Sequence, residues 1–585
     1  MSEFLESLIV IVRPEETITT AIKRIADADT KFFGICLVID EQRILRGVFN
    51  SGDVLRLIAS GADLKQPITH AMVSDPVVVP EGLSENRILD LVRTKLGQRT
   101  GGRKSFTRYI PVVDSNNVVL DVLDLYEVLA RLPKQGDQVA VYGLGFVGLT
   151  LAAVLASRGH SVTGIDVNTA LVAKLQDGHP HVYEPRLQDL MRLGFSTGTL
   201  SFRTDPDDRH NSVVIIAVGT PLNEQGVASM VALEQVCQSV GSRLRRGDIV
   251  MLRSTVPVGT TRTLVVPLLE SISGLTCGKE FHVAFCPERT VEGKAIQELS
   301  SLPQIVGGAT NACVEKASAF WVGVTDTIVR VDSLEASELV KLINNSYRDI
   351  SFAFANGLTS LADNYNIDAT RLIAAANEGY PRNPIPVPSP GVGGYCLTKD
   401  PFLYASVNPE LGHAALSRLG RKVNEEAGRY PVTVLETFAY GTKRKVESLR
   451  VLLVGMAFKG NPETNDLRGS ISVSIARELM QRGCNVECFD AVIGEQELRN
   501  HGLNPARMNE ALSNSDAVLI LNNHEKNIPI KFLQSVGSGR AVLVFDGWSM
   551  LERHEAEKYP GVIYANLGYM TKTDSDVIPL YSTKF

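Results

Sequence analysis

The sequence predicts an α/β protein: two doubly wound parallel sheets joined by a helical segment and preceded by a small duplicated α/β module. Three observations carry this reading. A glycine-rich strand–turn–helix runs over residues 138–156, a second strand–turn–helix opens at Val451, and a strand–helix unit recurs within the first 130 residues at an offset of 74 positions. At roughly 100–200 residues per domain, 585 residues are enough for several units, each with its own core.

Composition narrows the function class. Lys+Arg of 59 against Asp+Glu of 65 gives a net charge of −6, which excludes the basic field that a nucleic-acid partner demands. No apolar run approaches the roughly 20 residues of a membrane span, so no membrane association is expected. Acids occupy the N-terminal stretch MSEFLESLIVIVRPEE, where a secretory signal would carry positive charge, so the expected compartment is cytoplasmic. The eight Cys contain no CxxC pair, which argues against a disulfide framework, and no metal site is expected.

In the first unit, residues 1–132, Gly47 and Asp121 lie 74 positions apart, as do Asp53 and Glu127. Each copy reads as a helix, an apolar strand and a second strand running into a helix. The pattern resembles a CBS-domain pair. That resemblance implies an adenine nucleotide bound between the halves, with Asn50, Asp53 and Glu127 at the regulatory nucleotide site. The alternative is a degenerate pair used only for packing or oligomerisation. Leu132-Pro133-Lys134-Gln135-Gly136-Asp137 then breaks the apolar patterning and marks the boundary.

Residues 133–328 open with the strand Gln138–Tyr142, the turn Gly143-Leu144-Gly145-Phe146-Val147-Gly148 and an apolar helix. Gly143 permits the tight turn, Gly145 lets the backbone approach a pyrophosphate, and Gly148 lets helix and strand pack closely. The N–H groups of Phe146 and Val147 head the helix, where an anion is favoured. Asp166 ends the next strand 18 residues after Gly148, positioned to accept from ribose hydroxyls and to repel a 2′-phosphate; NAD is expected rather than NADP. Three polar loops follow later strands: Val218-Gly219-Thr220-Pro221, Arg253–Gly259 and Cys286–Gly293. At the carboxyl ends of parallel strands, they face the ligand.

Residues 329–440 form a helical unit. Lys341 and Asn345 are spaced i, i+4 on one helix face. Gly391-Val392-Gly393-Gly394-Tyr395-Cys396 brings a thiol behind three glycines, with Asp400 on the same face if a helix starts near Cys396. Such a Cys, beside a Lys and at a helix N-terminus, is expected to have a lowered pKa. Residues 413–440 read as one long bridging helix. Residues 441–585 begin a second strand–turn–helix at Val451–Gly460, with Ala457 where a dinucleotide turn has its second glycine.

The stretches GLGFVGLTLA, STVPVGTT, PERTVEGKAIQEL, ELVKLINNSYR, GVGGYCLTKDP and VGMAFKGNPETNDLRGS fall in this order across residues 138–470. Together they resemble the UDP-glucose/GDP-mannose dehydrogenase family, which oxidises the C6 alcohol of a sugar nucleotide to a carboxylate with two NAD. The resemblance implies two Rossmann-like domains about a central dimerisation domain, in a homodimer or higher homo-oligomer. It implies Cys396 as the thioester nucleophile, Lys341 and Asn345 at the C6 oxyanion, and Asp400 and Thr255 holding the hydrolytic water. Glu288 is the candidate base. Thr220, Pro221, Thr255 and Glu292 line the cofactor, and Glu288, Arg289, Arg382, Gly393, Phe458 and Lys459 join Lys341 and Asn345 around a UDP-sugar. The PER form resembles the UDP-N-acetylhexosamine branch, so UDP-N-acetylmannosamine or UDP-N-acetylglucosamine comes first. Lys399 is reminiscent of the UDP-glucose enzymes, which keeps that substrate open. An inactive nucleotide sensor and a two-electron hydroxyacid dehydrogenase are the other readings.

Overall fold

In the computed structural model, the described residues are 9–27, 35–50, 53, 54, 57, 63–83, 88, 91, 109–124 and 136–571, the last span without 207–208, 224–225, 383, 530 and 537–539. The chain divides into two compact units, Met1–Gln135 and Gly136–Phe585.

The first unit contains two three-stranded sheets. Strands β1 (Val10–Val12), β2 (Ile35–Ile39) and β3 (Leu45–Asn50) form one; β4 (Val79–Pro80), β5 (Tyr109–Val113) and β6 (Val119–Asp124) form the other. In each, a parallel pair is followed by an antiparallel hairpin. The 74-residue offset holds down to single atoms. Register shifts fall at Val38/Ile39 and Val112/Val113. Asp40 Oδ1 accepts from the N–H groups of Gln42 and Ile44, and Asp114 Oδ1 from those of Asn116 and Val118. Arg43 and Asn117 both take positive φ, at 66° and 62°. The hairpins meet where Leu45 N–H donates to the Asn117 carbonyl, and Leu37, Leu45, Val113 and Val119 share one buried core. Packing one copy on the other buries the apolar face that neither could hide alone.

The second unit is built on two sheets. The first comprises β7 (Gln138–Tyr142), β8 (Ser161–Ile165), β9 (Leu200–Arg203), β10 (Val213–Ile216), β11 (Ile249–Leu252), β12 (His282–Phe285), β13 (Gln304–Gly308) and β14 (Ile328–Arg330), ordered β14-β13-β12-β11-β10-β7-β8-β9. From β9 to β12 the pairs are parallel, and the chain reverses its winding between β7 and β10. These strands are apolar almost throughout because helices cover both faces. The second sheet contains β15 (Arg450–Val454), β16 (Asn485–Phe489), β17 (Ala517–Ile520), β18 (Val542–Asp546), β19 (Val562–Asn566) and β20 (Tyr569–Met570), ordered β16-β15-β17-β18-β19-β20. Its winding reverses between β15 and β17. In both sheets the reversal opens a crevice at the carboxyl ends of the strands, where ligands of this architecture bind.

The helices that build the site are α1 (Phe146–Ser157), α2 (Asn311–Trp321), α3 (Leu334–Asp363), α4 (Asp400–Ser406) and α5 (Gly412–Ala427). The 30-residue α3 starts at Ser333, whose hydroxyl accepts from Ala336 N–H. A buried polar knot joins α3 to α5: Arg421 pairs with Asp349 at 2.6 Å, and Asn424 donates to Asp349 and accepts from Asn356. The expected single helix over 413–440 is instead two. α5 ends at Ala427, and a new helix runs Tyr430–Gly441 with Pro431 in its first turn, where a missing N–H costs nothing. Among the described residues no helix is long and apolar enough to cross a membrane.

Candidate active site

The first and third glycines of the β7–α1 turn answer a steric demand, and the second leaves the turn open. Gly143 has φ +88°, and a Cβ there would lie 2.8 Å from the Ala217 carbonyl oxygen. A Cβ on Gly148 would lie 1.8 Å from the Gly143 carbonyl oxygen, whereas one on Gly145 would meet nothing within 4 Å. The open side of the turn is therefore at Gly145, the N-cap of α1, which supplies no side chain to the N–H groups of the first helical turn, Phe146 and Val147 included. Asp166 Oδ2 accepts from Leu144 N–H at 2.8 Å and Oδ1 from Asn168 N–H at 3.0 Å, which fixes the carboxylate beside the turn. A cradle filled by any Cβ and an acid at the next strand end fit a dinucleotide.

The loops after β10, β11 and β12 converge on α3 and α4. Thr220 is buried; its hydroxyl donates to the Thr255 carbonyl and meets Lys399 Nζ at 3.0 Å. Pro221 stays exposed. Arg253 and Glu288 form a fully buried ion pair, with Arg253 also donating to Gln304 and lying 4.8 Å over the Trp321 ring. Glu288 Oε1 accepts from the N–H groups of Arg289 and Thr290. Burial works against the charge, but Arg253 and then Lys341 outweigh it and hold Glu288 at a pKa of about 2. Lys341 Nζ donates to the Glu288 carbonyl at 2.6 Å.

This pair makes a prediction about acid stability. Glu288 is lowered from 4.5 to about 2 on folding, so its contribution is complete above pH 4.5 and lost as pH falls toward 2. That shift corresponds to about 3 kcal/mol. Between pH 5 and 3 the urea midpoint of the wild type should fall more steeply than that of Glu288→Gln; parallel slopes would contradict the assignment.

Cys396 is exposed at the head of a turn in which its carbonyl accepts from Lys399 and Asp400 N–H. The expected helix start near Cys396 falls four residues later, since α4 begins at Asp400. The expected lowering of the thiol pKa is also corrected. The cleft around the sulfur desolvates the thiolate and raises its pKa, and Lys341 opposes this only in part. Asn345 Nδ2 donates to Asp400 Oδ2 at 2.6 Å, whereas the buried Asp400 Oδ1 has no partner among the described residues. Lys341, Asn345, Asp400 and Cys396 thus share one cleft, and one carboxylate oxygen is left to receive a proton donor.

The second sheet closes the opposite wall. A Cβ on Gly393 would lie 2.5 Å from the Gly469 carbonyl oxygen, and one on Gly394 would lie 2.8 Å from the Phe458 ring, so Phe458 lies against the loop two residues before Cys396. Lys459 Nζ donates to the Glu292 carbonyl at 2.7 Å, and burial lowers its pKa to about 8. Glu292 accepts from Thr464 at 3.1 Å and faces Arg468 at 3.6 Å; burial raises its pKa, with Asp466 adding to the effect.

Other expected residues have neighbours of their own. Arg289 donates to the Pro303 carbonyl, and Arg382 lies exposed over the Tyr380 ring, 5.7 Å from its centroid. Asn50 and Asp53 bond each other, Asn50 N–H to Asp53 Oδ2 at 3.0 Å and Asp53 N–H to Asn50 Oδ1 at 3.2 Å, and Glu127 lies outside the described residues. Sequence reasoning missed Arg253, Tyr395 and Glu338. The Tyr395 ring carries Lys399 at 5.1 Å and Arg468 at 5.4 Å from its centroid. Glu338, one turn before Lys341, accepts from Thr261 N–H and Oγ1 and so ties α3 to the Thr255 loop. The motif ELVKLINN had signalled only its lysine and asparagine.

A dinucleotide cradle facing a cleft with Cys396 and Lys341 defines a dehydrogenase. Models of the UDP-glucose/GDP-mannose dehydrogenase family match its NAD binding domain at residues 137–323, its central domain at 335–426 and its UDP binding domain at 452–553; a CBS domain matches residues 4–60. An NDP-N-acetyl-D-galactosaminuronic acid dehydrogenase from Ralstonia solanacearum is 33% identical over 395 residues, 66% of this chain and 91% of the relative. A UDP-N-acetyl-D-mannosamine dehydrogenase from Yersinia pestis is 34% identical over 58% of this chain and 82% of its own. The structure of a UDP-D-ManNAc dehydrogenase from Pyrococcus horikoshii superimposes with a TM-score of 0.66 at 28% identity, over 74% of this chain and 99% of that one. The chain belongs to the UDP-glucose/GDP-mannose dehydrogenase family and is an NAD-dependent nucleotide-sugar dehydrogenase.

Proposed function

We propose that the chain oxidises the C6 hydroxyl of a UDP-N-acetylhexosamine, UDP-N-acetylmannosamine or UDP-N-acetylglucosamine first, to the uronate through a thiohemiacetal and a thioester on Cys396. The observation that carries the reading is one exposed thiol in a cleft shared with Lys341, Asn345 and the partnerless Asp400 Oδ1. The names of the Yersinia and Ralstonia relatives support the N-acetylated sugar. Lys399 had favoured UDP-glucose, but its bond to Thr220 occupies it with the cofactor loop.

NAD, when bound, accepts a hydride in each of two oxidations at the same carbon. The first oxidation leaves an aldehyde at C6. Cys396 sulfur adds to that carbon, and the ammonium of Lys341 and the amide of Asn345 donate to the resulting oxygen. After the second oxidation the carbon is held as a thioester. Asp400 Oδ1 orients water at the thioester carbon, with Thr255 beside the same cleft. Glu292, whose pKa is raised, is better suited to take the proton of that water than Glu288, which Arg253 keeps ionised and occupied. Phe458 and Lys459 hold the nucleotide by stacking and by charge on the diphosphate.

Four functional segments follow this reading: 1–132, 133–328, 329–440 and 441–585. Exposed Ile343, Tyr347, Phe354 and Leu361 repeat along one face of α3, and exposed Leu416 and Leu419 lie on α5; this apolar stripe supports a homodimer through the central segment. An adenine nucleotide is proposed for the duplicated module.

The experiment counts NADH against sugar consumed, using purified protein, NAD and a panel of UDP- and GDP-sugars. Two NADH per UDP-N-acetylhexosamine is the expected result. One per sugar would favour a two-electron dehydrogenase, and turnover of UDP-glucose alone would overturn the substrate.

A further inference from the structure

A cavity of about 260 Å³ lies between the dinucleotide turn and the second half of the unit. Gly145 and Phe146 line it from the turn, Thr464 and Arg468 from the loop after β15, and His181 and Glu292 complete its wall. It opens on Gly145, where a Cβ would meet nothing within 4 Å. The segment that carries His181 is anchored on both sides. His179 N–H donates to the Lys174 carbonyl at the end of the helix Thr169–Gln176. Tyr183 N–H donates to Asn465 Oδ1 at 3.3 Å, and the buried Glu184 accepts from Gly293 N–H at 2.8 Å and Ile296 N–H at 3.2 Å. The ring is thus presented to the cavity by a fixed backbone.

His181 is half-buried, and its Nδ1 is shut from solvent with no hydrogen-bond partner among the described residues. An orphaned buried N–H is rarer than an orphaned acceptor, so the neutral ring keeps its proton on Nε2. That N–H is the donor the ring can offer a ligand. Burial and then Lys174 lower the pKa of the ring, Asp166 opposes them, and Arg468 adds to the lowering. The imidazole is therefore neutral at pH 7, and it lies within the electrostatic reach of both the acid at the end of β8 and the arginine across the cavity. The helix head at Gly145 gives a diphosphate donors from one side, and donors are needed on the side that faces away from it.

We propose that His181 is a cofactor-binding residue whose Nε2–H donates to the pyrophosphate of the dinucleotide seated at Gly145. The identity of the sugar does not enter, because the cradle alone sets where the pyrophosphate lies. A neutral donor suits this place: Asp166 is kept for the ribose hydroxyls, and a carboxylate on the His181 segment would repel the phosphates.

The test titrates the full chain with NADH, read by fluorescence of the dihydronicotinamide, and then displaces NADH with ADP-ribose or with adenosine. His181→Ala removes the ring, His181→Phe keeps a ring without a donor, and His181→Gln keeps an N–H near the place of Nε2. His181→Ala and His181→Phe should each lose about ten- to a hundredfold in NADH affinity, the range for a hydrogen bond to a charged group. His181→Gln should recover most of it. ADP-ribose should weaken by the same factor as NADH, and adenosine should not weaken at all. Unchanged NADH affinity in His181→Ala would overturn the proposal. So would an equal loss for adenosine, which would place the ring on the nucleoside, or a loss in His181→Gln as large as in His181→Ala, which would give the ring a packing role. Thermal melting of each variant without ligand separates loss of binding from loss of fold.

Discussion

Cys396→Ala is expected to reduce uronate formation by at least about a thousandfold and to hold NADH at no more than one per sugar. Four electrons leave a single carbon in this reaction, so a half-oxidised species must be kept in place between the two stages. A free aldehyde hydrates or escapes, whereas a thiohemiacetal keeps the carbon tetrahedral and ready to give up a second hydride. Cys396 is the exposed thiol of this cleft, whereas Lys341 and Asn345 serve in this reading as donors to the oxygen on that carbon. The raised thiol pKa has a consequence for the pH profile. At neutral pH the free sulfur is mostly protonated, so aldehyde capture should accelerate as pH rises through the thiol's range. Quenched-flow product analysis, with intact-mass detection of an acyl adduct in the wild type, checks both parts. Undiminished uronate from the alanine variant would remove the thioester from the mechanism.

Features fixed by steric demand or by helix periodicity were legible in the sequence. Gly143 and Gly148 face backbone oxygens at distances that no Cβ tolerates, and their spacing alone announced this. Lys341 and Asn345 share a helix face because α3 is regular. The 74-residue repeat was visible as matching residue types and reappears as matching hydrogen bonds at Asp40 and Asp114. Features that depend on distant partners were not legible. Arg253 and Glu288 are 35 positions apart, and Lys399 and Thr220 are 179 apart. Glu288 read as a free base because nothing near it in sequence shows the guanidinium that neutralises it. The thiol of Cys396 was misjudged for a related reason: Lys341 could be anticipated, but the desolvation that outweighs it is a sum over the folded cleft.

Lys341→Met should lower kcat by about a hundred- to a thousandfold while leaving the KM for NAD within a few-fold. Loss of one donor to a developing oxyanion costs about 2.7–4 kcal/mol in the barrier, and the ammonium of Lys341 reaches from α3 to the Glu288 carbonyl. The reason for the selectivity is positional. Lys341 bonds the Glu288 carbonyl at the end of β12, whereas the dinucleotide cradle depends on Gly143, Gly148 and Asp166 at the ends of β7 and β8. The substitution keeps the length and apolar stem of the side chain, so the helix contact is retained while the charge and the hydrogen bonds of the ammonium are removed. Steady-state kinetics with each substrate varied in turn distinguishes the outcomes. A fall in kcat with little change in either KM assigns Lys341 to transition-state stabilisation. A rise in the KM for sugar nucleotide at unchanged kcat would show that the ammonium binds substrate uniformly and does not stabilise the oxyanion.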